Sequence, residues 1–143
     1  MAIQKQEYYE GAALHSLIRR SGEVHIRYSH PFFVLNGCQR AYVKYSTRGR
    51  SPWGFTFTPD ECDILSRQID GEPVIVALVC GSDGVASVRL ELILESRGSE
   101  NGPFRVSCYR DHKKHYRLKG PLGWLESAVA PSSWERTLES RST

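Results

Sequence analysis

Basic and aromatic side chains follow one another closely in one short segment, where they could bind a nucleic acid. Lys44, Arg48 and Arg50 can pair with phosphate oxygens, and Tyr42 and Trp53 offer ring faces on which bases can stack. No acidic residue lies between Lys44 and Trp53 to neutralise the cations. The segment therefore predicts a surface for a polyanion, although buried rings and solvated arginines would give the same pattern.

The net charge of +3 is distributed unevenly along the chain. Residues 40–50 carry a net charge of +4 and residues 105–119 carry +5, so the rest of the chain sums to −6. The second segment contains Lys113, Lys114 and Arg117, which would extend the binding surface if the two segments fold side by side. Two separate solvated hairpins are the alternative interpretation.

The size and composition of the chain fit one globular domain over residues 1–143, with 40% hydrophobic and 24% charged residues. The first residues lack the basic start and apolar run of a secretory signal, and the longest apolar run, Val74 to Cys80, is too short to cross a membrane. The four scattered cysteines favour buried thiols over disulfides or a zinc site. We expect a cytoplasmic protein that does not bind a membrane.

The hydrophobic spacing alternates along the chain between helical and strand periods. The predicted elements are a helix over residues 5–19, a three-stranded meander over 24–46, a helix from the capping box at Thr58 to about Gly71, a buried strand from Pro73 to Cys80, a helix over 85–96, a basic hairpin over 104–118, and a final helix or pair of turns around Trp124 and Trp134. The buried strand is expected to be central and parallel to a neighbour, with helices covering both faces of a mixed sheet. The prediction is an α/β fold with an αβββαβ core, followed by a C-terminal basic hairpin and helix.

The order helix, three strands, helix, strand over residues 5–80 resembles the common core of the PD-(D/E)xK nuclease superfamily. In that family a glutamate of the first helix, an aspartate at the end of the second strand and an acid-x-lysine triplet in the third strand form a metal-dependent active site. Glu10, Asn36 and the triplet Tyr42-Val43-Lys44 stand at these places in this sequence. The resemblance therefore implies Glu10, Asn36 and Lys44 as catalytic residues if the protein is active.

The sequence departs from the family pattern at the two positions that should bind a metal ion. Magnesium prefers carboxylate oxygens, whereas Asn36 offers a neutral carbonyl and Tyr42 a protonated phenol. We therefore assign no metal ligand and expect no cofactor. Magnesium would be needed only by a residual nuclease, for which Asp83, in the turn after the buried strand, could supply a displaced carboxylate.

Three functions remain open at this stage. The leading expectation is a catalytically inactive nuclease-like module that binds nucleic acid, with DNA favoured over RNA. Its candidate contacts are Tyr42, Lys44, Arg48, Arg50, Trp53, Lys113, Lys114 and Arg117. The first alternative is a residual metal-dependent nuclease. The second is a protein-interaction module or an inhibitor subunit of a larger complex, acting with a protein partner or as a homodimer.

Overall fold

The computed structural model describes residues 2–67, 73–99, 101–126 and 128–139. The elements in chain order are α1 (Lys5–Ser21), β1 (Ile26–Ser29), β2 (Phe32–Leu35), β3 (Gln39–Ser46), β4 (Trp53–Phe57), α2 (Pro59–Arg67), β5 (Val74–Cys80), β6 (Gly84–Arg89), α3 (Leu90–Ser96), β7 (Phe104–Tyr109), β8 (Arg117–Gly120) and β9 (Gly123–Trp124). The predicted α/β class is confirmed. The predicted end of the second helix near Gly71 lies outside the described residues. Among the described helices, none is long and apolar enough to span a membrane.

Five strands form a mixed sheet, which we call sheet A, in the order β1-β2-β3-β5-β6. β1, β2 and β3 are antiparallel neighbours, which confirms the predicted meander. β5 lies parallel to β3, with Arg40 opposite Val74 and Ser46 opposite Cys80. The predicted αβββαβ order is therefore found in sheet A and its helices, with one additional strand, β4, inserted before α2.

The additional strand β4 belongs to a second, antiparallel sheet, which we call sheet B and which has the order β4-β7-β8-β9. Trp53, Phe55 and Phe57 alternate with Gly54 and Thr56, the period expected of a strand with one buried face. The three aromatic side chains are buried, and the other two residues face outward. The predicted basic hairpin is confirmed as β7 and β8, but strands flank it on both sides.

The central strand β5 lies between two hydrophobic cores. On one face Val76 and Leu78 pack with α2, α3 and the inner face of sheet B. On the other face Ala77 and Val79 pack with α1 and with the buried Trp134. β5 is therefore buried on both sides, as predicted, although sheet B takes much of the place that was expected for a helix.

The prediction of a single helix over residues 85–96 is wrong for its first half. β6 pairs antiparallel with β5 after a short turn, and α3 begins only at Leu90. Val88 and Leu92 fit both strand and helix spacing, so the local pattern is ambiguous. Pairing with β5 decides the conformation, because an extended β6 satisfies backbone groups along that edge of β5.

The predicted C-terminal helix is not found among the described residues. Trp124 lies in β9, and residues 131–139 form consecutive turns, which is the other conformation considered from the sequence. Pro131 cannot donate a helical hydrogen bond. Trp134 is fully buried against α1, where its indole N–H donates to the carbonyl of Ala13 at 2.8 Å. A contact with a distant helix therefore fixes this segment.

The turn that joins β5 to β6 requires a glycine at position 81. Gly81 has a φ of +54°, and a Cβ there would lie 2.3 Å from the backbone oxygen of Arg48. We expect Gly81→Ala to lower the free energy of unfolding by about 1 to 3 kcal/mol. The alanine would be strained at this φ, and its Cβ would displace the 47–52 loop. Urea unfolding measures this change.

Gly11→Ala is the matched control for the glycine prediction. Gly11 lies in α1, and nothing stands within 4 Å of the Cβ that it would gain. This change should leave stability unaltered or raise it by up to about 1 kcal/mol. Equal stabilities for the two variants would contradict the assignment of strain to Gly81.

Candidate functional site

A cavity of about 590 Å³ lies where α1, the β1–β2 turn, β3 and α2 meet. Glu10 of α1, Lys44 of β3 and Glu61 of α2 line it, together with His30 of the turn. Two of the three residues that the family resemblance implied, Glu10 and Lys44, therefore share one cavity. Glu10 accepts a hydrogen bond from Gln6 Nε2 at 2.9 Å, one turn earlier in α1.

Glu61 uses both of its carboxylate oxygens within the fold. Its Oε2 accepts hydrogen bonds from the Tyr42 hydroxyl and from Lys44 Nζ, the second at 2.7 Å. Its Oε1 accepts from the backbone N–H of Thr58 at 3.1 Å, and its own N–H donates to Thr58 Oγ1 at 3.1 Å. The predicted capping box is therefore present, and the same side chain also holds two residues of β3.

Tyr42 and Lys44 are consequently less available to a ligand than the sequence indicated. Burial raises the pKa of the Tyr42 phenol, and its hydrogen bond to Glu61 raises that pKa further. The Lys44 ammonium lies 4.7 Å from the centre of the Phe57 ring, and its side chain is 17% exposed. Both side chains belong to an internal network between β3, β4 and α2.

The prediction that Asn36 joins this site is wrong. Asn36 occupies the β2–β3 turn with a φ of 51°, and its Oδ1 accepts a hydrogen bond from the backbone N–H of His25 at 2.8 Å. Leu35 pairs with Gln39, at the start of β3, whereas Lys44 lies near the end of that strand. At about 3.3 Å per residue, this separation along β3 exceeds about 15 Å.

The antiparallel meander explains the error over Asn36. The last residue of β2 meets the first residue of β3, so the far end of β3 faces the beginning of β2. Continuing the observed register places His30 opposite Lys44, and His30 indeed lines the cavity. The sequence prediction had the antiparallel direction of the two strands right. That direction alone was sufficient to show that Asn36 lies far from Lys44.

Asp83 also lies apart from Lys44 and has a structural role. Its Oδ2 accepts hydrogen bonds from Arg110 Nη1 at 2.7 Å and from the Tyr116 hydroxyl at 2.6 Å. Burial and the hydrogen bond to Asp83 raise the pKa of Tyr116. The carboxylate therefore joins the β5–β6 turn to sheet B and does not face the cavity that contains Lys44.

The cavity residues do not fit a magnesium site in this arrangement. Glu61 already accepts three hydrogen bonds, and Asn36 and Asp83 lie elsewhere. Across residues 2–67, 73–99, 101–126 and 128–139, no group of three or more His, Cys, Asp or Glu side chains is arranged to hold a metal ion. Glu10 alone would bind the hard, strongly hydrated ion poorly.

The two basic segments of the sequence lie side by side. β4 pairs with β7, so Trp53 stands opposite Cys108, and the backbone N–H of Arg110 donates to Ser51 Oγ at 3.0 Å. Arg50 and Arg110 line one depression, of about 420 Å³, in the surface. The condition under which the two segments could form a single binding surface is therefore met.

The prediction of Trp53 as a stacking ring is wrong. The side chain is only 2% exposed, and it packs edge-on against Tyr116 at 6.3 Å between ring centres. Its indole N–H donates to the carbonyl of Arg48 at 2.9 Å. Trp53 therefore acts from the core by holding the backbone of the loop that exposes Arg48 and Arg50.

Sheet B presents a basic and aromatic outer face beside this loop. Arg117 and Lys119 point outward from β8, with Trp124 of β9 directly opposite Lys119 and Tyr109 of β7 directly opposite Arg117. Lys113 and Lys114, with other residues, line a cleft of about 590 Å³ beside Trp124. Asp111 lines both this cleft and the depression at Arg50, so the two lie next to each other.

We call the exposed cations of this region the basic face; they are Arg48, Arg50, Lys113, Lys114, Arg117 and Lys119. In the described part of the chain, no carboxylate lies within ion-pair distance of any of them. Their charges are therefore available to an external anion. Four of them, together with the aromatic Trp124, lie in sheet B or at the tip of its central hairpin.

Sequence reasoning missed Trp124 and Glu61 as site residues. Trp124 follows the turn Gly120-Pro121-Leu122-Gly123, a composition that signals a hairpin and could have placed the residue on a strand. Glu61 was found as a helix cap, but its contacts with Tyr42 and Lys44 span 19 and 17 residues. No local pattern predicts such contacts.

A comparison of the sequence with protein-family models and with curated proteins, and of the fold with solved structures, finds no match. The likeness to the PD-(D/E)xK superfamily therefore stays a prediction from element order and individual residues.

Removing the charge of Glu61 should destabilise the network at the end of β3. We expect Glu61→Gln to lower the free energy of unfolding by about 1 to 3 kcal/mol, because Lys44 and Tyr42 lose a charged acceptor while glutamine can still serve the capping box. Asp60→Asn removes a charge from the exposed neighbouring position of α2 and is the control. Equal losses in urea unfolding would show that the charge of Glu61 acts only through its position in the first turn of α2.

The raised pKa of Tyr42 predicts a dependence of stability on alkaline pH. The phenol keeps its proton in the folded protein, so its contribution is fully present below the unfolded pKa of about 10 and is lost as the pH rises above it. Free energies of unfolding measured from about pH 8 to about pH 11 should therefore fall more steeply in the wild type than in Tyr42→Phe. Tyr8→Phe alters a ring that is 63% exposed and should match the wild type. Identical slopes for all three proteins would refute the contribution of Tyr42 to the pH dependence of stability.

Proposed function

We propose that the protein is a catalytically inactive nuclease-like module that binds nucleic acid through its basic face. The adjacency of the two basic segments carries this proposal, because pairing of β4 with β7 and the bond from Arg110 to Ser51 hold them together. Apart, each segment would be an ordinary solvated loop. Together they bring the exposed cations of the basic face close to one another in a protein whose net charge is only +3.

The chemistry of the basic face suits a phosphate backbone. Arg48 and Arg50 extend from one loop and Lys113 and Lys114 from the hairpin tip, and all four are exposed. Long cationic side chains on neighbouring loops can follow a row of phosphates without reading its sequence. DNA is the favoured ligand, since the resemblance is to enzymes that act on DNA.

The absence of catalysis is proposed from the state of the carboxylates. A residual metal-dependent nuclease would have to use Glu10 and Lys44, which share a cavity. Glu61 is the other carboxylate there, and its oxygens already accept bonds from Tyr42, Lys44 and Thr58. The geometry therefore supports binding better than cleavage.

A cytoplasmic location forms part of the same proposal. Cys38, Cys62, Cys80 and Cys108 are all free thiols, and Cys80 and Cys108 lie 3.8 Å apart without a bond between them. Unbridged cysteines are usual in a reducing compartment.

Charge reversal in the 47–52 loop tests the proposed binding. Labelled DNA and RNA, each single-stranded and duplex, are titrated with the wild type and with the double variant Arg48→Glu and Arg50→Glu across a salt series. The loss of two phosphate contacts should weaken binding about tenfold to a hundredfold near 0.1 M salt and reduce the slope of log affinity against log salt by about two. The loss should be similar for unrelated sequences.

The double variant Arg27→Glu and Arg67→Glu supplies the matched control. Both arginines are exposed and lie outside the basic face, so the same change in total charge should have a much smaller effect. An affinity that stays unchanged after charge reversal at Arg48 and Arg50 would contradict the proposal. The same samples are incubated with manganese or EDTA. Cut products that need manganese and disappear with Lys44→Ala would support the residual nuclease instead. A stable protein partner without affinity for nucleic acid would indicate an interaction module.

A further inference from the structure

We propose that the outer face of sheet B binds single-stranded nucleic acid by stacking a base on Trp124, an inference that rests on the proposed function and names its ligand. Trp124 is the one described tryptophan with a large exposed surface, at 46%, whereas Trp53 and Trp134 are buried. Trp124 belongs to neither core, and nearly half of its surface is exposed, so its indole is accessible to a ligand.

Two cations flank the Trp124 ring. Arg117 Cζ lies 4.4 Å from the ring centre, and Lys119 Nζ lies 5.4 Å from it. Cations over an aromatic face fix its orientation, and each retains donors for a phosphate oxygen. Tyr109, whose ring centre is 5.1 Å from that of Trp124 at an angle of 59°, supports the indole from β7. The result is a fixed aromatic platform with positive charge over its ring.

A cleft lies between Trp124 and the hairpin tip, beside this platform. Its volume of about 590 Å³ falls within the range of small-ligand sites. Among the described residues that line it, Lys113, Lys114 and Arg117 outnumber the one acid, Asp111, so a bound group should carry negative charge. An indole wall and three cations match one nucleotide unit, in which a planar base is joined to a phosphate.

The arrangement favours a single strand over a duplex. Bases in a duplex are stacked on one another and cannot cover an indole that lies on a strand, whereas bases of a single strand are free to do so. Arg105 continues the outer face beyond the platform, where its guanidinium lies so close to Gly54 that a Cβ at that glycine would be 1.8 Å from it. The backbone of a single strand could therefore run from the platform across sheet B.

Charge complementarity distinguishes this ligand from a protein segment. The outer face holds Arg105, Arg117 and Lys119 on the two central strands. Nucleic acid supplies both a negative charge and a stacking ring in every unit, whereas an acidic peptide supplies mainly the charge. DNA and RNA share this chemistry, so matched strands of both are compared.

The test measures binding of a labelled single-stranded DNA, the same sequence as RNA, and the corresponding duplexes, in EDTA. Stacking of one base contributes on the order of 1 to 3 kcal/mol, so Trp124→Leu should weaken binding of single strands about fivefold to a hundredfold. Its salt slope should stay that of the wild type, since no charge is removed. Duplex binding should change little.

Tyr8→Leu is the control for loss of an exposed ring, since Tyr8 is 63% exposed on α1, and it should bind like the wild type. A measurement on the wild type does not depend on any variant folding. Single strands should quench the tryptophan fluorescence and protect it from acrylamide, because Trp124 is accessible while Trp53 and Trp134 are buried. Duplexes should do neither.

The outcomes separate this inference from the proposed function. If Trp124→Leu binds single strands as the wild type does while reversal at Arg48 and Arg50 still weakens binding, the stacking platform is wrong and the basic face stands. Equal quenching by duplex and single strand also overturns the platform. If no nucleic acid binds even at low salt, both proposals fail together. Selective loss of single-strand binding in Trp124→Leu supports the platform.

Discussion

The burial of β5 on both faces is the constraint on which the rest of the structure depends. A strand that contributes alternate residues to two cores needs a cover on each side, and here α1 covers one face while sheet B covers much of the other. Because β5 is parallel to β3, the chain must also cross from the end of one strand to the start of the other. That crossover carries the 47–52 loop, β4 and α2. It therefore brings Glu61 to Lys44 and the arginine loop to sheet B.

Much of sheet A could be predicted because its signals are local. The helical stripe of α1, the turn at Asn36 and the capping box at Thr58 each need only a few neighbouring residues to be recognised. The structure departs from prediction where a distant partner decides. Trp53 was a candidate stacking ring, with burial as the alternative, and in β4, which pairs with β7, it faces inward. Residues 85–89 become a strand because β5 offers an edge. The candidate site divides in the same way, since the cations of the loop and hairpin were found from composition, whereas pairing of β9 with β8 brings Trp124 beside them.

Two groups of charged side chains in this protein have different physical roles. Lys44 and Arg110 are largely buried, and each has a carboxylate at 2.7 Å, in Glu61 and Asp83 respectively. A buried charge without a partner costs several kcal/mol, so these pairs follow from folding alone. The cations of the basic face are exposed, and folding does not require their positions. Like charges gathered on one side repel one another, so their arrangement opposes stability slightly, and a bound anion would relieve that repulsion.

The proposed ligand surface and the family resemblance occupy different parts of the molecule. The resemblance covers residues 5–80, whereas most of the basic face and the whole aromatic platform belong to the hairpin and to β9. Trp53 links the two regions, since it packs against Tyr116 while holding the carbonyl of Arg48. Binding by sheet B consequently does not require sheet A to descend from a nuclease. If it does descend from one, the Glu61 carboxylate is already engaged there, because it caps α2 and pairs with Lys44 and would have to give up such bonds to bind a metal ion.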